Sequence, residues 1–576
     1  MDDPVSSPLQ ISPRPRRILF VASECVPFAK SGGLGDVVAG LAKALTRKGH
    51  DVRIVIPRYY TVDKAKFGLK FSAPACVHMG QGEEQWIGVM DGKLDGQVPV
   101  WFVDCERYFG RGGLYHEGFG EYSDNAYRFA LLSKAALQIC KDRDFIPQVI
   151  HLHDWQAALT AGFLKTWDRI ASPLSATASV LTIHNIGYQG VYHAGAFPYF
   201  GIGGEYFSPN YFEDHGRINL LKSGVAFADA LTTVSPTHAQ EIVDPIGGMG
   251  LALYLNDRSA DLFGILNGVD YEHWDPSSDR LIPAKFSADD LSGKAICKEE
   301  LQKRFGLERR PDIPLIGIVS RFAAQKGFDL LKEALPRVLD AMSVQLVALG
   351  TGDQMTEDFF QWMAGNYPGR VGIHIGFSEE LSHRIEAGSD FFLMPSLYEP
   401  CGLNQIYSLK YGTLPIVRAT GGLEDSVINY NQETGEGTGF KFLLPTSQAV
   451  YDTVGWAVST WYDRPEHMAK LRQQAMQQDF SWDRSASAYV DVYEYALKKR
   501  LALLQREDPA GYEYWIRPRH KVVRLSLPKR VKPKKKAARK KEAAQLAPRA
   551  EIKKTKKAAK IKEEEQTKKT KTREKE

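Results

Sequence analysis

The stretch Lys30-Ser31-Gly32-Gly33-Leu34-Gly35-Asp36 decides how this chain is read. Before it lies an apolar run, Ile18-Leu19-Phe20-Val21-Ala22, with the composition of a buried strand. After it comes Val37-Val38-Ala39-Gly40-Leu41-Ala42-Lys43-Ala44-Leu45, apolar at helical spacing. A strand, a glycine turn and a helix in that order aim unpaired backbone N–H groups and the positive end of a helix dipole at one place, which favours an anion. Lys30 adds a mobile positive charge. Taken alone, the stretch is either a grip on a phosphorylated ligand or a plain strand-to-helix turn whose glycines relieve backbone strain.

Working outward, the predicted helix over 35–47 leads to a second apolar strand at 52–57, so the unit is strand, helix, strand and implies a parallel sheet covered on both faces. Further strands are expected at 99–103, 147–152, 178–183 and 230–235, with a helix over 125–140 and the run 265–270 closing this half. Polar and glycine residues repeatedly follow the strand ends, the edge where open α/β sheets bind ligands. A second α/β series begins near 313, with strands expected at 313–320, 344–349, 371–376, 390–395 and 414–418, a helix over 328–341, and closing helices from about 448 to 504. The fold class is therefore α/β, with two doubly wound Rossmann-like domains facing a cleft. The boundaries are a disordered lead at 1–16, a first domain at 17–269, a second at 270–514 and a tail at 515–576.

With 576 residues, 43% of them hydrophobic, the chain has material for two or more cored domains. Six cysteines are scattered without a Cys-x-x-Cys pair, which suits a reducing compartment better than a disulfide framework. No apolar run approaches the roughly 20 residues of a membrane helix, and Met1-Asp2-Asp3-Pro4 lacks the character of a signal peptide. A cytoplasmic protein is expected. Charge is uneven: residues 529–576 hold 21 Lys and Arg against 7 Asp and Glu, while the rest is mildly acidic. Such a tail cannot bury enough apolar surface to offset chain entropy and is expected to be disordered. It either binds a polyanion weakly or is a dispensable extension.

Four more constellations carry chemistry. Arg321, with Gln325-Lys326-Gly327 nearby, supplies two cations after a strand, able to neutralise a diphosphate or simply solvated. In Ser396-Leu397-Tyr398-Glu399-Pro400-Cys401-Gly402-Leu403-Asn404-Gln405 a carboxylate sits in a proline-fixed turn before a helix, as a sugar contact or a helix-end charge. His184 ends a strand in Thr182-Ile183-His184-Asn185-Ile186-Gly187-Tyr188-Gln189-Gly190, and Thr420-Gly421-Gly422-Leu423-Glu424-Asp425 is another glycine turn opening a helix. One cleft furnished with cations, helix N-termini and a carboxylate suits a sugar carried on a diphosphate.

Residues 30–36, 151–155, 182–190, 265–270, 319–327 and 398–427 together resemble the bacterial glycogen synthase and plant starch synthase family, retaining glycosyltransferases of GT-B architecture. The likeness runs in order from about 17 to about 498. It departs at Ser31 and Asn404, where the family usually has threonine. The resemblance implies transfer of glucose from ADP-glucose to the 4-hydroxyl at the non-reducing end of an α-1,4-glucan, with retention. It also implies that the first domain takes the acceptor and the second the donor. By the same likeness, Lys30, Gly32 and Gly33 bind the donor, while Arg321 and Lys326 hold its phosphates. Glu399 contacts the glucosyl ring, and Cys401, Gly402 and Leu403 contact its neighbouring hydroxyls and phosphate through backbone groups. His184 lies at the glucosyl carbon, and Asp154 and Asn267 help define the acceptor and sugar pocket. No cofactor and no metal are implied; Asp142-Arg143-Asp144 spells an Asp-x-Asp but falls at an expected helix end.

Overall fold

The computed structural model describes residues 14–118 and 120–516. The first sheet contains β1 (Arg17–Val21), β2 (Asp51–Pro57), β3 (Lys70–His78), β4 (Glu84–Leu94), β5 (Val98–Asp104), β6 (Val149–His153), β7 (Ala178–Ile183), β8 (Ala230–Thr233) and β9 (Leu262–Gly264). Their order is β9-β8-β7-β6-β1-β2-β5-β4-β3, parallel except that β4 runs against both β5 and β3. Ile18, Leu19, Phe20 and Val21 have no exposed surface, as expected for a strand covered on both faces. The second sheet is wholly parallel: β10 (Leu315–Phe322), β11 (Gln345–Gly352), β12 (Val371–Ile375), β13 (Phe391–Met394), β14 (Leu414–Arg418) and β15 (Phe440–Phe442), in the order β12-β11-β10-β13-β14-β15.

Each sheet reverses its winding once, between β6 and β1 in the first and between β10 and β13 in the second. A crevice opens at such a reversal because the flanking connections leave in opposite directions. The Lys30 stretch follows β1 and Asp154 follows β6; Lys326 follows β10 and Glu399 follows β13. The local sequence thus delivers its charged residues to the two crevices.

The closing helix departs from expectation. The helix Trp482–Glu507 was expected to complete the second domain, yet Trp482, Ala486, Tyr489, Tyr493 and Leu497 sit in the first core. By packing, the residues from 482 onward belong with the first sheet. The chain crosses between the halves twice at one place, where the Val269 N–H donates to Phe480 O at 2.9 Å. Arg16, at the end of the expected lead, is also ordered, holding Glu494 of that helix through two 2.8 Å bonds. The boundary expected at 515 falls short: the helix Pro509–Ile516 runs past it, and Trp515 Nε1 donates to Ser175 Oγ at 3.2 Å. Residues 1–13 of the lead and the tail from 517 lie outside the described residues.

Trp482 seats on α1 (Leu34–Arg47) at Gly40, where a Cβ would lie 2.1 Å from the indole Nε1. Gly40→Ala is therefore expected to lower stability. Overpacking costs about 1–3 kcal/mol, and alanine's better helix propensity returns at most about 1 kcal/mol. Thermal melts compare the two proteins; an equal or higher melting temperature would contradict this seating.

Candidate active site

The Lys30 loop is held by a carboxylate that sequence reading passed over. Glu24 is 2% exposed. Its Oε2 accepts from the Ser31 N–H at 2.5 Å and the Gly32 N–H at 3.3 Å, and its Oε1 from Ser31 Oγ at 2.6 Å and Tyr115 OH at 2.5 Å. The turn does gather donors, but two of them are spent on the protein's own anion. Lys30 Nζ lies 2.8 Å from Asp36 on the exposed side of the loop. What remains for a ligand is Lys30 itself, once it leaves Asp36, and the start of α1, whose N-cap Gly33 brings no side-chain cap. A Cβ on Gly33 would lie 3.7 Å from Leu403 Cδ1, so the loop faces the second half directly, whereas Gly32 has open space beside it.

Lys30→Ala is expected to raise the donor KM far more than the glycogen KM and to leave the melting temperature unchanged. Glu24→Ala should show the same kinetic signature and also melt earlier. It strands buried donors at about 1–3 kcal/mol. Steady-state kinetics with each substrate varied, alongside melts, separate the two; equal effects on both KM values would make the loop merely structural.

Asp154 opens the helix Asp154–Thr166 with φ of +58°, a strained backbone for a residue with a side chain. Its Oδ1 accepts from the His184 N–H at 2.7 Å. Burial pushes this carboxyl up to about 7, against the backbone N–H groups of His184 and Asn185, which favour the charged form. The folded protein thus keeps a proton that the unfolded chain loses above its ordinary value of 3.8. Protons bound in the folded state exceed those in the unfolded state across that window, so stability falls as pH rises from about 4 to 7. Relative to Asp154→Asn, the native protein should lose up to about 4 kcal/mol over that range; denaturant melts at stepped pH measure it.

His184 is neutral. Burial lowers its imidazole to about 3, and its Nε2 lies 3.1 Å from Nδ1 of His153, with the two rings stacked. His153 Nε2 is buried without a partner among the described residues. One proton is shared along this His153–His184 contact, so the two imidazoles hold each other in fixed orientation.

Across the crevice, Lys326 Nζ and Glu399 Oε2 are 2.6 Å apart, and Ser396 Oγ donates to the same oxygen at 2.9 Å. Expectation gave these two residues to different parts of a ligand; here each neutralises the other. Arg321 is exposed and has no side-chain ion pair or hydrogen bond among the described residues. Leu397 N–H donates to Gln325 O and Gln325 Nε2 to Tyr398 O, tying the two switch-point loops together. Gly327, at φ of +72°, lies where a Cβ would be 2.1 Å from Pro395 O. Asn404 donates to Val319 O at 2.8 Å, fixing the start of the helix Asn404–Lys410 to β10.

The carbonyls of Cys401 and Gly402 both accept from Gln405 Nε2, at 2.9 and 3.1 Å, so that turn offers a ligand its N–H side. Burial pushes the Cys401 thiol up to about 12 despite a hydrogen bond from Asn267, which makes it a packing group rather than a nucleophile. Asn267 Oδ1 is buried without a partner among the described residues.

The glycine turn at Thr420 is closed to anions. Thr420 Oγ1 and the Gly421 N–H donate to Glu241 at 2.8 and 2.9 Å. Reciprocally, Asp425 accepts from the Thr237 N–H and hydroxyl at 2.8 and 2.7 Å. Two short helices, Pro236–Glu241 and Gly421–Ser426, thus cap each other's N-termini across the halves. In the Asp-x-Asp triplet, Asp142 accepts from Gln138 and Arg143 pairs with Asp91.

Among the described residues no helix is long and apolar enough to cross a membrane. Residues 17–257 match the family model "Starch synthase catalytic domain" and residues 299–478 match "Glycosyl transferases group 1". Glycogen synthase 1 of Geobacter sulfurreducens is 50% identical over 488 residues, covering 84% of this chain and 97% of that enzyme. Glycogen synthase of Treponema denticola is 46% identical over 494 residues, 85% of this chain and all of that enzyme. The catalytic domain of starch synthase IV from Arabidopsis thaliana, solved with ADP and acarbose, superposes with a TM-score of 0.77 at 34% identity, covering 84% of this chain and 100% of that one. Sucrose-phosphate synthase of Thermosynechococcus elongatus, 17% identical with a TM-score of 0.52, shares the fold. With two facing Rossmann-like sheets and relatives of this closeness along most of its length, the chain belongs to the glycogen and starch synthase family and is a GT-B glycosyltransferase.

Proposed function

We propose that the enzyme transfers glucose from ADP-glucose to the 4-hydroxyl at the non-reducing end of an α-1,4-glucan, with retention of configuration. The observation that carries this reading is the largely buried Lys326–Glu399 pair beside the uncommitted Arg321. An arriving diphosphate competes for Lys326 and adds Arg321. That frees Glu399 to accept hydrogen bonds from glucosyl hydroxyls. The two cations then stabilise the charge that grows on departing ADP, a preorganised arrangement that needs little rearrangement during reaction. The starch synthase relative solved with ADP and acarbose supports both the nucleotide and the glucan side of this reading.

Retaining hydrolases use a second carboxylate as nucleophile, about 5–5.5 Å from the first. Here Glu399, once released by Lys326, still accepts from Ser396 and is taken up by the glucosyl hydroxyls, and Asp154 is buried, held by the His184 N–H and raised to about 7. A front-face route fits better: ADP leaves, and its own phosphate takes the proton of the incoming hydroxyl on the same face. Neutral His184 presents a polar N–H without adding a positive charge beside the electron-poor glucosyl carbon. A trapped glucosyl ester on Glu399 would overturn this mechanism.

The reaction needs no metal in this reading, and a chelator leaves the rate unchanged. The enzyme works in the cytoplasm, and the basic tail is dispensable for synthesis in vitro, so its deletion leaves glucan synthesis intact. The deciding experiment offers glycogen with ADP-[¹⁴C]glucose and UDP-[¹⁴C]glucose in parallel and counts polymer label. Incorporation from ADP-glucose is expected; preference for the uridine donor, or none from either, would overturn the assignment.

A further inference from the structure

The first sheet ends in an exposed hairpin, β3 against β4, whose two faces differ sharply. Along β3, Ala75 and Val77 are buried while Cys76 and His78 point outward; along β4, Ile87 is buried while Glu84 and Trp86 point outward. The register sets His78 directly opposite Glu84 and Cys76 opposite Trp86. Alternate residues on one strand and a cross-strand neighbour share a face, so Cys76, His78 and Glu84 converge. Their thiol, imidazole and carboxylate donor atoms all lie within 4.8 Å of one another, and His78 Nδ1 is 3.6 Å from Glu84 Oε1.

From this convergence we propose that Cys76, His78 and Glu84 bind a divalent transition-metal ion of the zinc class on the outer face of the edge hairpin. A tetrahedral zinc takes sulfur at about 2.3 Å and nitrogen or oxygen at about 2.0–2.2 Å, which sets neighbouring ligands about 3.5 Å apart. Exposed side chains close the remaining gap by small rotations without moving the strands. One sulfur, one nitrogen and one oxygen suit a borderline-soft ion and not magnesium or calcium, which take oxygen ligands. Three protein ligands leave the fourth position to water. Binding forms the metal–sulfur bond and releases the Cys76 thiol proton to solvent.

Two further features favour a real site. The hairpin turn is anchored: a Cβ on Gly80 would lie 2.0 Å from Pro198 O and 2.4 Å from the Gly201 N, so the turn presses on the segment Phe197–Phe200 and holds the ligand strands in place. Cys76 is also the one cysteine of the six that is not buried, and so the thiol open to an ion. The site lies on the outermost strands, away from the switch point that carries Lys30 and Asp154. Its effect is to staple the edge strand to its neighbour, independently of glucosyl transfer.

The test titrates the full chain, reduced and stripped of metal, with Co²⁺ as the probe. The expected result is one equivalent bound with a thiolate-to-cobalt charge-transfer band that stoichiometric Zn²⁺ displaces. Cys76→Ser abolishes the band, and His78→Ala or Glu84→Ala weakens cobalt binding at least tenfold. Because the other five cysteines are buried, the band reports Cys76. Absence of the band in the native chain, its survival in Cys76→Ser, or unchanged affinity in both His78→Ala and Glu84→Ala would overturn the proposal.

Discussion

Replacing Lys326 with methionine is expected to lower the rate at saturating donor by about 10²–10³-fold, the usual cost of losing one preorganised donor to a developing negative charge. It should also lower the melting temperature. Side-chain exposure is 18% for Lys326 and 7% for Glu399, so the substitution strands a nearly buried carboxylate. A fully buried orphan costs about 3–5 kcal/mol. With Ser396 still donating and some water access, about 2 kcal/mol is the expectation here. The double variant Lys326→Met/Glu399→Gln removes the stranded charge and should recover most of the melting temperature but none of the rate. Initial rates with labelled donor and calorimetric melts on both variants check this. A single variant with normal kcat would show that the lysine serves only to neutralise Glu399.

Gly421→Ala is the second large effect. Its φ of +44° already costs alanine about 1 kcal/mol or more. The added Cβ would lie 2.0 Å from Glu399 O and 2.9 Å from its carbonyl carbon, both backbone atoms that cannot turn aside. Either the Glu399 turn shifts or the Gly421 N–H leaves Glu241. A displacement near 1 Å at a reacting group costs about 10²-fold in rate, and the clash adds about 1–3 kcal/mol of instability. Gly49→Ala separates the causes: its φ is +91° but nothing lies within 4 Å of the new Cβ. That variant should lose about 1 kcal/mol and keep its kcat. Similar kinetics for the two variants would mean the Glu399 turn tolerates the shift.

Much of the fold is legible locally because both sheets are largely parallel and buried on two faces. Their strands read as unbroken apolar runs, and the helix expected over 328–341 is found as Phe328–Ala341. The site's charged residues are legible because they fall just past those strands. Their pairing is not. Glu24 sits six positions before Lys30, at a strand end that looks unremarkable in sequence, and only the folded loop turns the Ser31 and Gly32 N–H groups onto it. The Glu241–Gly421 and Asp425–Thr237 caps join residues about 180 positions apart, and neither stretch carries a local mark of its partner. The destination of the last helix is hidden for the same reason. Its stripe of Trp482, Tyr489 and Tyr493 would face either core equally well, and the choice is made by Gly40, Gly268 and the buried His151, which accepts or donates 2.8 Å from Tyr493 OH.

That last helix also bears on how the protein is made. Domains generally fold as units in the order they leave the ribosome. Here the first sheet is synthesised early, but Trp482 through Leu497, which fill its core, are translated only after the whole second sheet. The half that emerges first is therefore the half completed last, and its apolar face waits uncovered through more than two hundred residues of translation. Stalling the ribosome before residue 482 should leave a nascent chain whose second sheet can fold while its first cannot finish.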